Sequence, residues 1–197
     1  MGKIAVLLGK SASGKDTVYR RLLNRPQLQL QRIIPYTTRP IRADEEEGRE
    51  YHFVTREEAQ RLADAGKVIE QRTYQTIAGP WTYFTADDGQ IDPAGDGRYL
   101  IIGTLEAYAG FRAYFSDAAL VPVYLYADDA ERLYRSLRRE RQQAHPNYAE
   151  ICRRYLADEE DFSEEKLRAA GIGIRFRNQD PDEVTDRIAA YLSGEMK

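Results

Sequence analysis

The sequence predicts an α/β fold in which a parallel sheet is wrapped by helices. Residues 3–8, Lys-Ile-Ala-Val-Leu-Leu, form a continuous apolar run without alternation, the pattern of a strand covered on both faces. Similar runs recur at Tyr99–Ile102, Leu120–Tyr126 and Ile172–Phe176, with enough chain between them for crossover connections. A small-residue loop from Gly9 to Gly14 leads directly from the first run into a helix-forming stretch.

That helix carries Val18 with Leu22 and Tyr19 with Leu23 at i, i+4 spacing and stops before Pro26. The closing helix has Asp180 as its cap, Pro181 at its first position and Glu183 placed to complete a capping box. Val184, Ile188 and Leu192 form its buried stripe. Two stretches break the alternation. Residues 35–88 hold strand-like pieces (Tyr51–Val54, Val68–Glu70, Trp81–Thr85) around one short helix, with a Thr55/Glu58 capping box and Gly66 past its end. Residues 131–157 are helical, dense in arginine and broken at His145-Pro146. The expected organisation is therefore a core of residues 1–34, 89–130 and 158–197 with two insertions, 35–88 and 131–157.

A chain of 197 residues accommodates one such domain with elaborations, not two full-size domains. Its net charge of −3 lacks the basic excess of a protein that binds nucleic acid by charge. With 42% hydrophobic and 31% charged residues it is composed as a folded protein. No apolar run approaches the ~18–20 residues of a membrane span. The chain start reads into a strand without a signal-peptide layout, and Val6 stands where a myristoylation signal wants Ser or Thr. Cys152, the single cysteine, excludes an internal disulfide and a multi-cysteine metal site, and reads as helix packing. A cytoplasmic protein acting on small molecules, without nucleic-acid or membrane partners and monomeric or homodimeric, is expected.

Gly9-Lys10-Ser11-Ala12-Ser13-Gly14-Lys15 satisfies G-x-x-x-x-G-K between a buried strand and a helix. Its glycines permit backbone conformations that turn successive N–H groups, including those near Ser11 and Ser13, onto an anion. Lys15 supplies the cation for the outer phosphates of a nucleoside triphosphate, so the fold expected is that of the P-loop NTPases. Asp16 departs from the pattern, which places Ser or Thr there, and Thr17 follows. A carboxylate beside triphosphate is repelled unless a cation intervenes, so Asp16 is expected to hold Mg²⁺, directly or through water. The alternative is a first-turn acid favouring the helix dipole by ~0.3–1 kcal/mol.

Residues 37–54 place Arg39 and Arg42, then Gly48 and Tyr51, in one loop. Forked guanidinium donors and a phenol suit a second phosphate group, at ~1.5–3 kcal/mol for each charge-assisted hydrogen bond. Here the sequence resembles guanylate kinase, and the resemblance covers nearly the whole chain. The acceptor signature of that family, T-T-R-x-P-R-x-G-E-x-x-G-x-x-Y-x-F, is matched in register by Thr37, Thr38, Arg39, Arg42, Glu45, Gly48, Tyr51 and Phe53. The resemblance implies ATP as phosphoryl donor with Mg²⁺, and GMP or dGMP as acceptor. It implies that Arg39, Arg42, Tyr51 and Tyr83 hold the acceptor phosphate, with Thr85 near the guanine O6. Glu70, at the end of Val68-Ile69-Glu70, would read the guanine N1 and N2 donors, a pair adenine does not offer.

The arginine-rich insertion resembles the lid of that family. Ile151-Cys-Arg-Arg154 matches its I-x-x-R, implying a catalytic role for Arg154, and Arg138 and Arg141 are further candidates. Arg132 and Arg139 read as surface partners of Glu131 and Glu140, and Asn178 resembles a residue beside the donor adenine. Three family features are absent. Pro35 replaces a Ser, Phe84 replaces the Gly of Y-G-[ST] with extra residues around Gln75–Pro80, and Ile102 and Thr104 replace the acids of L-D-x-D. The G-K-D-[ST] loop and the acid-free strand resemble ribose 1,5-bisphosphate phosphokinase, which lacks the acceptor signature. A non-catalytic guanylate-kinase-like binding domain is the third reading, opposed by the presence of Lys15, Arg141 and Arg154. His52 and His145 read as structural, and the acidic run Asp44 to Glu47 as a solvated loop in which Glu45 alone matches the family.

Overall fold

The computed structural model describes residues 2–42, 45–76, 79–143 and 145–196; Asp44 of the acidic run lies outside them. The chain runs β1 (Lys3–Leu8), α1 (Lys15–Leu23), β2 (Leu30–Arg32), β3 (Tyr36–Thr37), β4 (His52–Phe53), α2 (Arg56–Asp64), β5 (Val68–Thr76) and β6 (Gly79–Ala86). It continues with β7 (Arg98–Ile102), α3 (Leu105–Tyr114), β8 (Leu120–Tyr126), α4 (Asp129–Glu140), α5 (Tyr148–Asp161), α6 (Glu164–Ala169), β9 (Arg175–Arg177) and α7 (Pro181–Glu195).

Five strands form an all-parallel sheet in the order β2-β7-β1-β8-β9, as the unalternated apolar runs require. Along β1 the side chains divide between two cores. Ile4, Val6 and Leu8 pack with Tyr108 and Phe111 of α3, while Ala5 and Leu7 pack with Val18 and Leu22 of α1 and with Val184, Ile188 and Leu192 of α7. Full burial of each large aliphatic side chain stabilises by ~1.5–3 kcal/mol, so this central strand fixes the start of the glycine loop that follows it.

A second sheet, β4-β3-β6-β5, occupies the first insertion. β5 and β6 pair antiparallel from Val68/Ala86 to Thr76/Gly79, a longer ladder than the short strands expected there. Two-residue β3 and β4, and three-residue β2, are too short to leave a periodic signal. The α2 capping box forms as expected: Glu58 N–H donates to Thr55 Oγ1 at 3.1 Å and Thr55 N–H to Glu58 Oε2 at 2.8 Å. In α7, Asp180 accepts the N–H groups of Asp182 and Glu183; the reciprocal Glu183 bond is not formed among the described residues.

Three expectations need correction. The last strand begins at Arg175, not Ile172. Ile172 instead closes α6: its N–H bonds Leu167 O and that of Gly171 bonds Arg168 O, with Gly171 at φ +74°. This helix-ending motif buries Ile172 against Leu167, and burial in a helix stop resembles burial in a strand. Cys152 is exposed rather than packed. Arg132 is not a surface partner of Glu131 but 2% exposed and bound to three other acids. Among the described residues no helix is long and apolar enough to cross a membrane.

Candidate active site

The glycine loop leaves the carboxyl end of β1, between β7 and β8, where open parallel sheets hold their ligands. Three residues take positive φ there, Gly9 at +150°, Ala12 at +59° and Gly14 at +96°. A Cβ at Gly14 would overlap the Asn178 amide, so glycine is required on two counts. Lys15 Nζ donates to Gly9 O at 2.6 Å and Lys10 O at 2.9 Å, curling over the loop. Burial of its ammonium group lowers the pKa to about 8. Ser13 Oγ is buried without a partner among the described residues.

Asp16 opens α1, is exposed, and borders two clefts. One holds Gly14, Lys15, Thr17, Arg135 and Arg139; the other holds Pro35, Tyr51 and Ile102 and leads toward the small sheet. Among the described residues no group of three or more His, Cys, Asp or Glu forms a metal cage. Mg²⁺ ordinarily takes one or two carboxylates and completes its shell with substrate phosphates and water, a donor set that Asp16 beside the loop fits. Asn178 Nδ2 donates to Ser13 O at 2.7 Å, and its Oδ1 is buried without a partner among the described residues. The expected adenine contact is thus also a brace of the phosphate loop.

The small sheet lines a second cleft, rich in arginine. Arg39, Arg42, Tyr51 and Tyr83 line one cleft, joined by Glu45, Arg72 and Tyr74. Arg39 is 4% exposed; it forks onto Glu45 with both contacts at 2.8 Å and stacks its guanidinium over the Tyr51 and Phe53 rings at 5.4 and 5.5 Å. The hydrogen bonds from Arg39 hold the Glu45 carboxyl below its ordinary pKa. Arg39 Nε is left buried and unpartnered among the described residues. Glu45, matched to the family signature, also accepts the Arg42 N–H at 2.9 Å and so organises both arginines. Glu70 is buried beside Thr85, whose hydroxyl donates to Oε1 at 2.8 Å. Arg72 forks onto the same carboxylate at 3.0 and 3.2 Å. His52 stacks on Tyr36 and bonds Glu47, away from this cleft.

α4 and α5 flank the loop. Arg132 donates to Ser11 O at 3.1 Å, to Asp129 at 2.7 Å, to Glu159 at 2.8 Å and to Asp158 at 3.1 Å. Three and seven residues later on the same helix face, Arg135 and Arg139 border the loop cleft. Arg154 faces Arg139 across the cleft between the helices and bonds Glu150 at 2.7 Å. Arg138 and Arg141 are exposed and border neither of these clefts, because α4 turns them away from the Arg132 face. Arg72 and Arg135 escaped the sequence reading, which takes Arg139 only as a surface partner of Glu140. Helical spacing from a buried Arg132 marks Arg135 and Arg139; nothing in the sequence distinguishes Arg72.

A phosphate loop on a parallel sheet, a small sheet lining a second, arginine-rich cleft and an arginine-bearing helix pair together make the layout of a P-loop nucleoside monophosphate kinase. The guanylate kinase family model matches residues 1–79. The guanylate kinase of Anaplasma phagocytophilum is 26% identical over 207 residues, covering 100% of this chain and 88% of that protein. That of Salinibacter ruber is 33% identical over 60% of this chain and 61% of its own length. That of Schizosaccharomyces pombe is 43% identical over 34% of each. A crystal structure of the guanylate kinase from Anaplasma phagocytophilum superposes with TM-score 0.70 over 99% of this chain and 86% of that chain, at 22% identity, which bears on the fold. The chain is thus similar to guanylate kinases, by the family model over residues 1–79 and by the Anaplasma phagocytophilum protein over its whole length.

Proposed function

We propose that the protein is an ATP-dependent kinase of GMP or dGMP, catalysing ATP + GMP ⇌ ADP + GDP in the cytoplasm. The observation that carries this reading is a pair of clefts, each with a buried polar atom that lacks a partner among the described residues: Ser13 Oγ on the loop and Arg39 Nε in the small-sheet cleft.

Lys15 and the loop N–H groups bind the donor phosphates. Arg39, Arg42, Tyr51 and Tyr83 bind the acceptor phosphate, and Glu70 with Thr85 faces the base. Arg135, Arg139 and Arg154 neutralise charge on the transferring group as the helix pair closes. Asp16 would hold Mg²⁺, which would supply positive charge against that of the donor phosphates. No general base is required, because the attacking phosphate oxygen is already ionised. The protein contributes alignment and charge.

The test is ADP release from ATP-Mg²⁺ with GMP, dGMP, AMP, CMP, UMP and ribose 1,5-bisphosphate as acceptors. Turnover confined to the guanine nucleotides is expected. Turnover with ribose 1,5-bisphosphate alone would replace the reading, and none with any acceptor would leave a binding role.

A further inference from the structure

Two carboxylates each hold one arginine at the small-sheet cleft. Glu45 takes the fork of Arg39, and Glu70, its side chain 2% exposed, takes that of Arg72. Arg72 pairs in register with Tyr83 across β5 and β6, so the two side chains stand on one face of the small sheet. Both border the cleft with Arg39, Arg42 and Tyr51. Burial raises the pKa of the Tyr51 phenol, and the charges of Arg39 and Arg72 act against that rise. The two guanidinium groups therefore bear on one phenol.

A guanidinium carries five N–H donors. One edge of Arg72 is spent on Glu70, with Nε reaching Oε2 at 3.0 Å and Nη2 reaching Oε1 at 3.2 Å. The far end is nearly idle. Nη1 makes one contact, 3.5 Å to Thr104 Oγ1, at the outer limit of hydrogen bonding. Among the described residues the second N–H of Nη2 has no other partner. Because Glu70 fixes the spent edge and the side chain is only 13% exposed, the idle end is held in place before a ligand arrives.

Charge decides what that end adds. Arg39 and Arg42 against Glu45 and Glu70 cancel, so a phosphate dianion would meet no net attraction from those four. Arg72 leaves the group with one net positive charge. We propose that Arg72 is a third arginine of the acceptor-phosphate site, presenting its Nη1 and Nη2 end to the phosphate while Glu70 holds the other edge. The inference rests on the acceptor reading above and adds a residue to it.

The test is the affinity of the purified full chain for GMP and for guanosine, measured by calorimetry in the wild type, in Arg72→Met and in Arg72→Lys. Guanosine has the base and sugar but no phosphate, so the ratio of the two affinities isolates the phosphate contribution. Arg72→Met is expected to lower the GMP-to-guanosine ratio by about tenfold or more, the worth of one charge-assisted hydrogen bond. Arg72→Lys keeps a cation beside Glu70, so it folds if the first variant does not. Its single ammonium lacks the second edge, and the ratio falls there too, by a smaller factor. If Arg72 served only to hold Glu70, GMP and guanosine would weaken together. A ratio within about threefold of wild type in both variants therefore overturns the inference and leaves the acceptor reading standing. A wild type that binds GMP no better than guanosine overturns both.

Discussion

Asp158 accepts the backbone N–H of Ser11 at 2.7 Å, so a carboxylate of α5 rests on the glycine loop. Arg132 completes the arrangement by donating to Ser11 O and to Asp158, and Lys10 adds an ion pair to Glu159 at 2.6 Å. Both main-chain groups of Ser11 are therefore held by the arginine-bearing helices, which ties their position to the shape of the loop.

Removing Arg132 leaves three acids with Lys10 as the remaining cation, on Glu159. Arg132→Met is expected to lower stability by about 1–3 kcal/mol, since the acids left behind are partly exposed. Urea unfolding measures it. Asp158→Asn, which keeps a hydrogen-bond acceptor, is expected to cost less; equal losses in the two variants would contradict the account.

Gly110 lies on α3 against β5, and a Cβ there would overlap Glu70 Cβ. Helix propensity alone predicts that Gly110→Ala stabilises by roughly 0.5–1 kcal/mol. The opposite sign is expected, because the clash is with a strand that cannot swing aside. A lower melting temperature together with a raised KM for the acceptor, at unchanged KM for ATP, is the outcome to look for.

Lys15 titrates in the free protein near pH 8, lowered from 10.5 by burial. The unfolded chain keeps this proton up to about 10.5, so stability from this group rises with pH between those values and is lost as pH falls through 8. Phosphate binding needs the charged form and therefore runs the other way. ATP affinity, measured by calorimetry, should weaken as pH rises through 8. Lys15→Met should bind weakly at every pH with that slope gone.

Glu150 accepts from Arg153 and Arg154, and these bonds hold its carboxyl at about 2. Its contribution is complete above the ordinary carboxylate range and is lost as pH falls through 2. The side chains are well exposed, so Glu150→Gln should change stability by less than about 1 kcal/mol. Releasing Arg154 from its counter-ion should tighten ATP binding by up to about fivefold, the same energy read as affinity.

Much of the fold is legible in the chain itself. Unalternated apolar runs mark β1, β7 and β8, and Thr55 with Glu58 marks the start of α2. The glycine loop and the run from Thr37 to Phe53 mark the two proposed phosphate sites, because each concentrates its groups within a few consecutive residues. Signals of this kind are local: a strand's period, a cap's spacing and a loop's glycines act over one or two turns of chain.

Other features are set only when distant segments meet. Arg132 looks like any surface arginine until α5 brings Asp158 and Glu159 to it, and Ile172 looks like a strand residue until α6 ends on it. Arg72 becomes a partner of Glu70 because a continuous β5 puts both side chains on one face, while Tyr83 and Thr85 come from the neighbouring strand. The sequence by itself determined the sheet, the glycine loop and the residue types that line the two clefts. Tertiary structure decided which charges are paired, since pairing depends on burial and through-space distance, and neither is written in sequence spacing.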